Sequence, residues 1–463
     1  MKFAADQKTE SGLAQETTCD GVVVLPAENA LAPTVWWRRR PALLGTVAAQ
    51  FAMLALGLVS GLVSGRMLGP QGRGELAAIT LWPMAFVFFA SLGLNQAIVF
   101  YTGRRQHSIS EVWTAASVLG VIQSLLVVIV GLALMPVLLR HYPASVQRLG
   151  LFFLMTTPAL LLGGLPGNVL QGAGDLLRFN IVRLISPACY TFGLLGLWAL
   201  GRFSLQAVVA TQVIGFVAAF AAGLVFLYRR EHPAFVFRTE VGKKLLGYGL
   251  QTHLANLTSY LNQRVDQLIL ALLIPAQELG LYAMAVALAM SVSFFPAAAG
   301  LVTFSRGSGQ SDAQARHTIS RSFRASLIWL LAGCCGLFFA APILISTLLG
   351  PRFAGSVLAC RLLLPGMVAL GLNQVLYNGA NAMGKPSLPS YAEGVGLAVT
   401  FIGLMLLVPR YGYIGAAIVS SVAYTVSFVV MLVLSVAFLQ LRIRDLVLPA
   451  RQMITDLPGV TSA

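Results

Sequence analysis

Leu68–Ala78 reads LGPQGRGELAA, and Ile274–Met284 reads IPAQELGLYAM. An offset of 206 residues pairs Gln71 with Gln277, Gly74 with Gly280 and Ala77 with Ala283. Further on, LQGA from Leu170 meets YNGA from Tyr377 at an offset of 207, and LLG recurs at Leu43 and Leu245. Each match is short. Their near-constant offset marks an internal repeat of about half the chain.

The rest of the sequence says what is repeated. Of 463 residues, 57% are hydrophobic and 10% are charged, where a soluble domain has roughly a quarter charged. Apolar runs long enough to cross a bilayer recur throughout. Twelve spans are expected, approximately 42–64, 76–101, 112–138, 149–170, 176–200 and 204–228, then 245–273, 278–304, 324–349, 354–380, 389–408 and 412–439. The longest connection, near 229–244, divides them six and six. An even number of spans gives both halves one orientation, with an axis along the membrane normal. The expected architecture is therefore all-α and polytopic: a cytoplasmic, disordered tail over 1–38, a six-helix lobe over 39–230, a second over 231–443 and a tail over 444–463.

The net charge of +15 raises the question of nucleic acid, and the placement of the charges answers against it. With the N-terminus inside, 21 of the 31 Lys and Arg fall on the cytoplasmic side and 7 on the outer side. That bias orients helices and places both termini in the cytoplasm. WWRRRP, Trp36–Pro41, reads as an interfacial anchor before the first span. The five cysteines include an adjacent pair, Cys334 and Cys335, and form no disulfide framework.

Three arginines remain inside spans: Arg183, Arg264 and Arg361. Arg264 stands in LNQRVDQLILALLIP, Leu261–Pro275. On a helix, His253, Asn256, Tyr260, Arg264 and Gln267 fall within about 80° of one another, a polar stripe through the midplane. Asp266 points about 200° away and needs a neighbour of its own. A central Arg or Asp opposes insertion by roughly 2.5–3.5 kcal/mol, and such residues face a bundle interior or a watery path. The alternative for Arg264 and Asp266 is ion pairing with other helices. Arg183 and Arg361 lie about two turns inside their spans and can also snorkel to headgroups. Asn95 and Gln96 in span 2, and Gln374 and Asn378 in span 10, add polar groups at matching places in the two halves. Individually these are interhelical hydrogen-bond partners; as a set they mark a wet cleft between lobes. Arginine's rigid fork suits carboxylate and phosphate, so the expected cargo is anionic. The sequence has no GxxxxGK[ST] loop, no HExxH and no Cys/His metal spacing. Metal, cofactor and catalytic residues are not expected.

GRMLGPQGRGELAAITLWP, Gly65–Pro83, and NQRVDQLILALLIPAQELGLYAMA, Asn262–Ala285, resemble corresponding corners of the two halves of Wzx-type polysaccharide flippases, members of the multidrug/oligosaccharidyl-lipid/polysaccharide (MOP) exporter superfamily. The similarity runs over residues 40–440. It implies a V-shaped, MATE-like pair of lobes in the bacterial inner membrane. It implies alternating access that moves an undecaprenyl-diphosphate-linked oligosaccharide to the periplasmic leaflet, for O-antigen (lipopolysaccharide), capsule or exopolysaccharide. It implies a cationic central cavity, which Arg264, Arg183 and Arg361 match, and a polysaccharide polymerase and chain-length regulator as partners. Coupling to a sodium-ion or proton gradient varies in the family; Asp266 and Glu393 are the acids placed for it. A cation-coupled drug or metabolite exporter is the alternative, but it wants buried acids in the first half. A membrane glycosyltransferase wants catalytic acids and a large outer loop.

Overall fold

The computed structural model describes residues 36–307 and 310–447. The expected tails and Cys19 therefore lie largely outside the described residues. The chain divides into residues 1–44, of which the described part is the start of the first helix, and residues 45–463, which hold everything below.

The described elements are helices. The first half contains α1 (Trp36–Ser91), α2 (Leu94–Arg104), α3 (Ile109–Leu138), α4 (Ala144–Met155), α5 (Thr157–Gly172), α6 (Leu176–Ala199) and α7 (Leu205–Glu231). The second contains α8 (Thr239–Leu273), α9 (Ala276–Met290), α10 (Phe294–Gly307), α11 (Asp312–Leu344), α12 (Gly355–Ala382), α13 (Ser387–Leu439) and α14 (Ile443–Val447). Nine helices among the described residues are long and apolar enough to cross a membrane, against the twelve spans expected.

Three places account for the difference. α1 carries one non-helical residue, Gly69 (φ 69°, ψ 179°), and α13 carries Gly412 (φ 55°, ψ −140°). Positive φ is open to glycine without a Cβ penalty, so each is a one-residue corner where the hydropathy reading placed a loop. Pro70 then starts the second limb of α1, where its missing N–H costs nothing. α8 is 35 residues long, but its central polar side chains take it out of the apolar set.

Elsewhere the ends follow local chemistry. Ser108 and Glu111 form a reciprocal capping box at the start of α3, Asp175 caps α6, and Ser204 caps α7. The side chains of Ile129, Phe192, Phe339 and Ile343 are each about two-thirds exposed. Apolar surface of that size on helices with internally satisfied backbones is lipid-facing surface.

The repeated stretches meet. A Cβ on Gly74 would lie 1.7 Å from the Ala276 carbonyl oxygen, and one on Gly280 would lie 1.9 Å from the Pro70 carbonyl oxygen. Pro70 and Ala276 are equivalent positions in the repeat, as are Gly74 and Gly280. This reciprocal exchange is what two copies related by a two-fold make. The contact is backbone on backbone, which only glycine allows at either place.

The connection between α7 and α8 is pinned to the start of α3. The Ala234 N–H donates to Ser110 Oγ at 3.0 Å, Val236 N–H donates to Thr114 Oγ1 at 3.0 Å, and Arg238 pairs with Glu111 at 2.8 Å. These contacts fix the root of α8, which carries Arg264.

Candidate functional site

A cavity of about 610 Å³ lies where α1, α2, α3 and α5 of the first half face α8 and α9 of the second. Arg264 lines it, with Tyr260 and Gln267 from the same face of α8. Among the described residues Arg264 makes no hydrogen bond or ion pair, and it is exposed to the cavity. The ring of Tyr260 stacks on Phe88, centroids 3.7 Å apart and planes 7° apart, which holds that stretch of α8 against α1.

The second cation of this cavity is Arg73. The sequence reading counts it among the outer connections, because hydropathy places a loop there. The Gly69 corner instead puts Arg73 in the first turn of a helix, beside the Gly74–Ala276 contact. Its Nε is buried and has no partner. Gln123 shares the lining, and its Oε1 is also buried without a partner. No carboxylate lines the cavity. The lining therefore carries two cations and no carboxylate. The signal in the sequence was the repeat itself: Arg73 lies one residue before a glycine that recurs 206 residues later.

The polar stripe of α8 divides. His253 is buried against Phe88, ring centroids 5.0 Å apart, and does not line this cavity. Asn256 donates to the Thr252 carbonyl of its own helix at 2.8 Å and also stands off the cavity. Helical phase places these two on the right face, but Phe88 of α1 covers His253, and Asn256 is exposed outside the cavity.

Asp266 turns the other way, as its phase requires. It is buried, and accepts from Tyr282 Oη at 2.6 Å and from the Gln267 N–H at 2.7 Å. Tyr282 Oη also contacts Ser420 Oγ at 3.0 Å, tying α8, α9 and α13 together. Asp266 and Arg264 form no ion pair among the described residues.

An adjoining cavity of about 530 Å³ shares Asn95 and Gly164 with the first. Asn168 donates to Asn95 Oδ1 at 2.8 Å, and Arg183 lines the far side. The Arg183 guanidinium stands 5.1 Å from the Phe179 ring centroid and reaches Gln50 Oε1 at 3.4 Å. No carboxylate lines this cavity either.

Arg361 is not brought to these cavities. Its Nε donates to the Phe338 carbonyl of α11 at 3.0 Å, and its guanidinium lies 4.6 Å from the Phe338 ring centroid. The neighbouring helix supplies both contacts, so the expected cavity role does not fit its position. Gln96 lines neither of these cavities, and Asn378 donates to the Gln374 carbonyl of its own helix at 2.8 Å. Gln374 and Glu393 line a separate cavity of about 340 Å³. Among the described residues no three His, Cys, Asp or Glu side chains gather as a metal site.

Known proteins resemble this chain in sequence family and in fold. A family model described as "Polysaccharide biosynthesis protein" matches residues 63–358. An uncharacterized membrane protein of Methanocaldococcus jannaschii is 21% identical over 383 residues, covering 74% of this chain and 73% of its own. Among solved structures, the lipid II flippase MurJ in an inward closed conformation superposes with a TM-score of 0.73 at 15% identity, covering 87% of this chain and 89% of its own. An inward-facing multidrug resistance MATE family transporter of the MOP superfamily gives 0.71 at 14%, covering 86% and 98%. A MOP superfamily transporter from Pyrococcus furiosus, described as having a binding pocket of reversed polarity, gives 0.61 at 14%, covering 86% and 95%. The fold is that of these transporters.

Proposed function

The chain belongs to the polysaccharide biosynthesis protein family, a family of membrane transporters rather than enzymes, and on that footing we propose that it flips an undecaprenyl-diphosphate-linked oligosaccharide from the cytoplasmic to the periplasmic leaflet. The glycan then enters surface polysaccharide assembly, with a polymerase and a chain-length regulator acting after it. Counting α1 and α13 as two crossings each and α8 as one gives twelve, six per repeat; this even number puts both termini on one side, and the Lys and Arg bias supports the cytoplasmic side. Alternating access then rocks one lobe against the other about the central cavity.

One observation carries the reading: a cavity holding Arg73 and Arg264 with no lining carboxylate. A diphosphate cannot cross hydrocarbon unpaired, since an isolated ion there faces tens of kcal/mol of Born cost. Two guanidinium groups lining one cavity offset that cost and form bidentate bonds to phosphate oxygens. Arg264 can bear its own insertion cost of roughly 2.5–3.5 kcal/mol only if it faces such a space. Two cations, rather than a dense cluster, also leave binding weak enough for release. A cation-coupled exporter of a cationic drug would place carboxylates in this cavity, and none lines it.

The test is export of surface polysaccharide from the source organism, its chromosomal copy replaced by each variant at matched protein level. Arg264→Ala and Arg73→Ala should each abolish export while membrane insertion is intact. Arg264→Lys should retain part of it, because the charge remains and the planar fork is lost. Purified wild-type protein should bind farnesyl diphosphate at least about tenfold more tightly than farnesol, and Arg264→Ala should lose that preference. Normal export by both alanine variants would overturn the reading.

A further inference from the structure

The 340 Å³ cavity that holds Gln374 and Glu393 adjoins the cationic cavity: Met290 lines both. α8 serves both sides, with Arg264 in one and Asn262 and Gln263 in the other. We propose that this second cavity is the glycan subsite of the carrier, taking the sugar next to the diphosphate. The proposal rests on the function proposed above and deepens it.

Four residues of its lining each carry a buried polar atom without a partner: Asn262 (Oδ1), Ser293 (Oγ), Asn373 (Oδ1) and Gln374 (Oε1). Asn262, Ser293 and Asn373 are 8%, 8% and 7% exposed, so bulk water does not serve them. A buried polar atom left unpaired costs about 1–3 kcal/mol. A ligand or an ordered water completes such a group. Three are amide oxygens, which only accept, the Ser293 hydroxyl both accepts and donates, and the Glu393 carboxylate lines the same space. An occupant rich in hydroxyl groups, which donate and accept, suits this set.

Sugar hydroxyl and acetamido N–H groups are donors of that kind. Phe294 and Tyr424 line the cavity too, and aromatic side chains suit the apolar side of a sugar. Size separates a sugar from a bare cation. Oxygens that bind an ion such as calcium close round it at about 2.3–2.6 Å. A space of 340 Å³ is about ten times the ~30 Å³ share of one water and has room for roughly one or two sugar rings. The division of labour follows: Arg73 and Arg264 hold the charge that every such carrier lipid shares, and this cavity reads which sugar is attached.

The experiment uses purified full-length protein in nanodiscs and four probes. These are farnesyl diphosphate, farnesyl diphosphate bearing a hexose or an N-acetylhexosamine at its terminal phosphate, methyl glycosides of the same sugars, and sodium chloride against choline chloride. Wild type should bind at least one sugar-bearing probe about tenfold or more tightly than farnesyl diphosphate, because a site built for hydrogen bonds rejects the analogue that lacks them. Gln374→Met and Ser293→Ala should bring that ratio close to one. Ser293→Ala removes an unpartnered buried hydroxyl, so the ligand-free protein should keep or gain thermal stability; this separates loss of a subsite from misfolding. Methyl glycosides test the cavity without a phosphate. If they bind wild type and not Gln374→Met while farnesyl diphosphate does not bind, the subsite stands and the diphosphate reading fails. If wild type binds all farnesyl probes equally, or if both variants keep the preference, the subsite is overturned. A sodium dependence that disappears in the variants while sugar preference persists also overturns it, in favour of a cation site.

Discussion

Gly74→Ala places one methyl group where the two repeats touch. The added Cβ would stand 1.7 Å from the Ala276 carbonyl oxygen, whereas carbon and carbonyl oxygen come no closer than about 3.3 Å in ordinary contacts. The limbs of α1 and α9 must then part by about 1.6 Å, the difference between those distances. Both atoms in conflict are fixed to helical backbone, so no rotamer change relieves it. Overpacking of a tight contact costs typically 1–3 kcal/mol, and the rigid partners put this case at the upper end. About 3 kcal/mol corresponds to somewhat over a hundredfold in an equilibrium constant. The conformation in which the repeats touch is therefore disfavoured by that factor against one in which they separate. Gly280→Ala, with its Cβ 1.9 Å from the Pro70 carbonyl oxygen, should act in the same way. Gln71 and Gln277 occupy equivalent exposed positions beside the contact. Spin labels on Gln71→Cys and Gln277→Cys, in a background with the five native cysteines replaced, report the separation directly. Gly74→Ala should move most of the population to a longer distance and stop transport. An unchanged distance distribution with normal export would refute the reasoning.

Two further predictions concern single hydrogen bonds. Tyr282→Phe removes a donor to the buried Asp266 carboxyl and should cost about 1.5–3 kcal/mol, read as a fall in melting temperature in detergent; an unchanged melt would show that Asp266 does not depend on this bond. Tyr142, in the connection between α3 and α4, donates to the Ala271 carbonyl of α8 at 3.1 Å, and its phenol is pushed up to about 12, first by burial and then by the nearby Glu75 carboxylate. The unfolded phenol ionises near its ordinary value of about 10, so this contribution is complete below about pH 10 and is lost as pH rises toward 12. Between pH 8 and pH 11 wild type should lose more stability than Tyr142→Phe in thermal unfolding; parallel losses would show that Tyr142 is not the group responsible.

The sequence alone determined that this is an all-helical membrane protein, because a bilayer demands long apolar helices and the composition supplies them. It also determined the repeat and the face of α8 on which Tyr260, Arg264 and Gln267 lie together, because helical phase is a local property. It did not determine the sharpness of the corners. Gly69 and Gly412 each turn the chain within one residue, and hydropathy averaged over a window cannot see a single φ angle. That is why Arg73 reads as a loop residue and stands in the cavity. Nor does phase say which neighbour covers a face. Phe88 closes over His253, Phe338 takes Arg361, and Tyr282 with Ser420 holds Asp266. Each of these partners comes from another helix, and only tertiary packing decides which helices meet. The cavity beside Met290 is of the same kind: Asn262, Ser293 and Asn373 come from three separate segments and line one space only once the helices are packed.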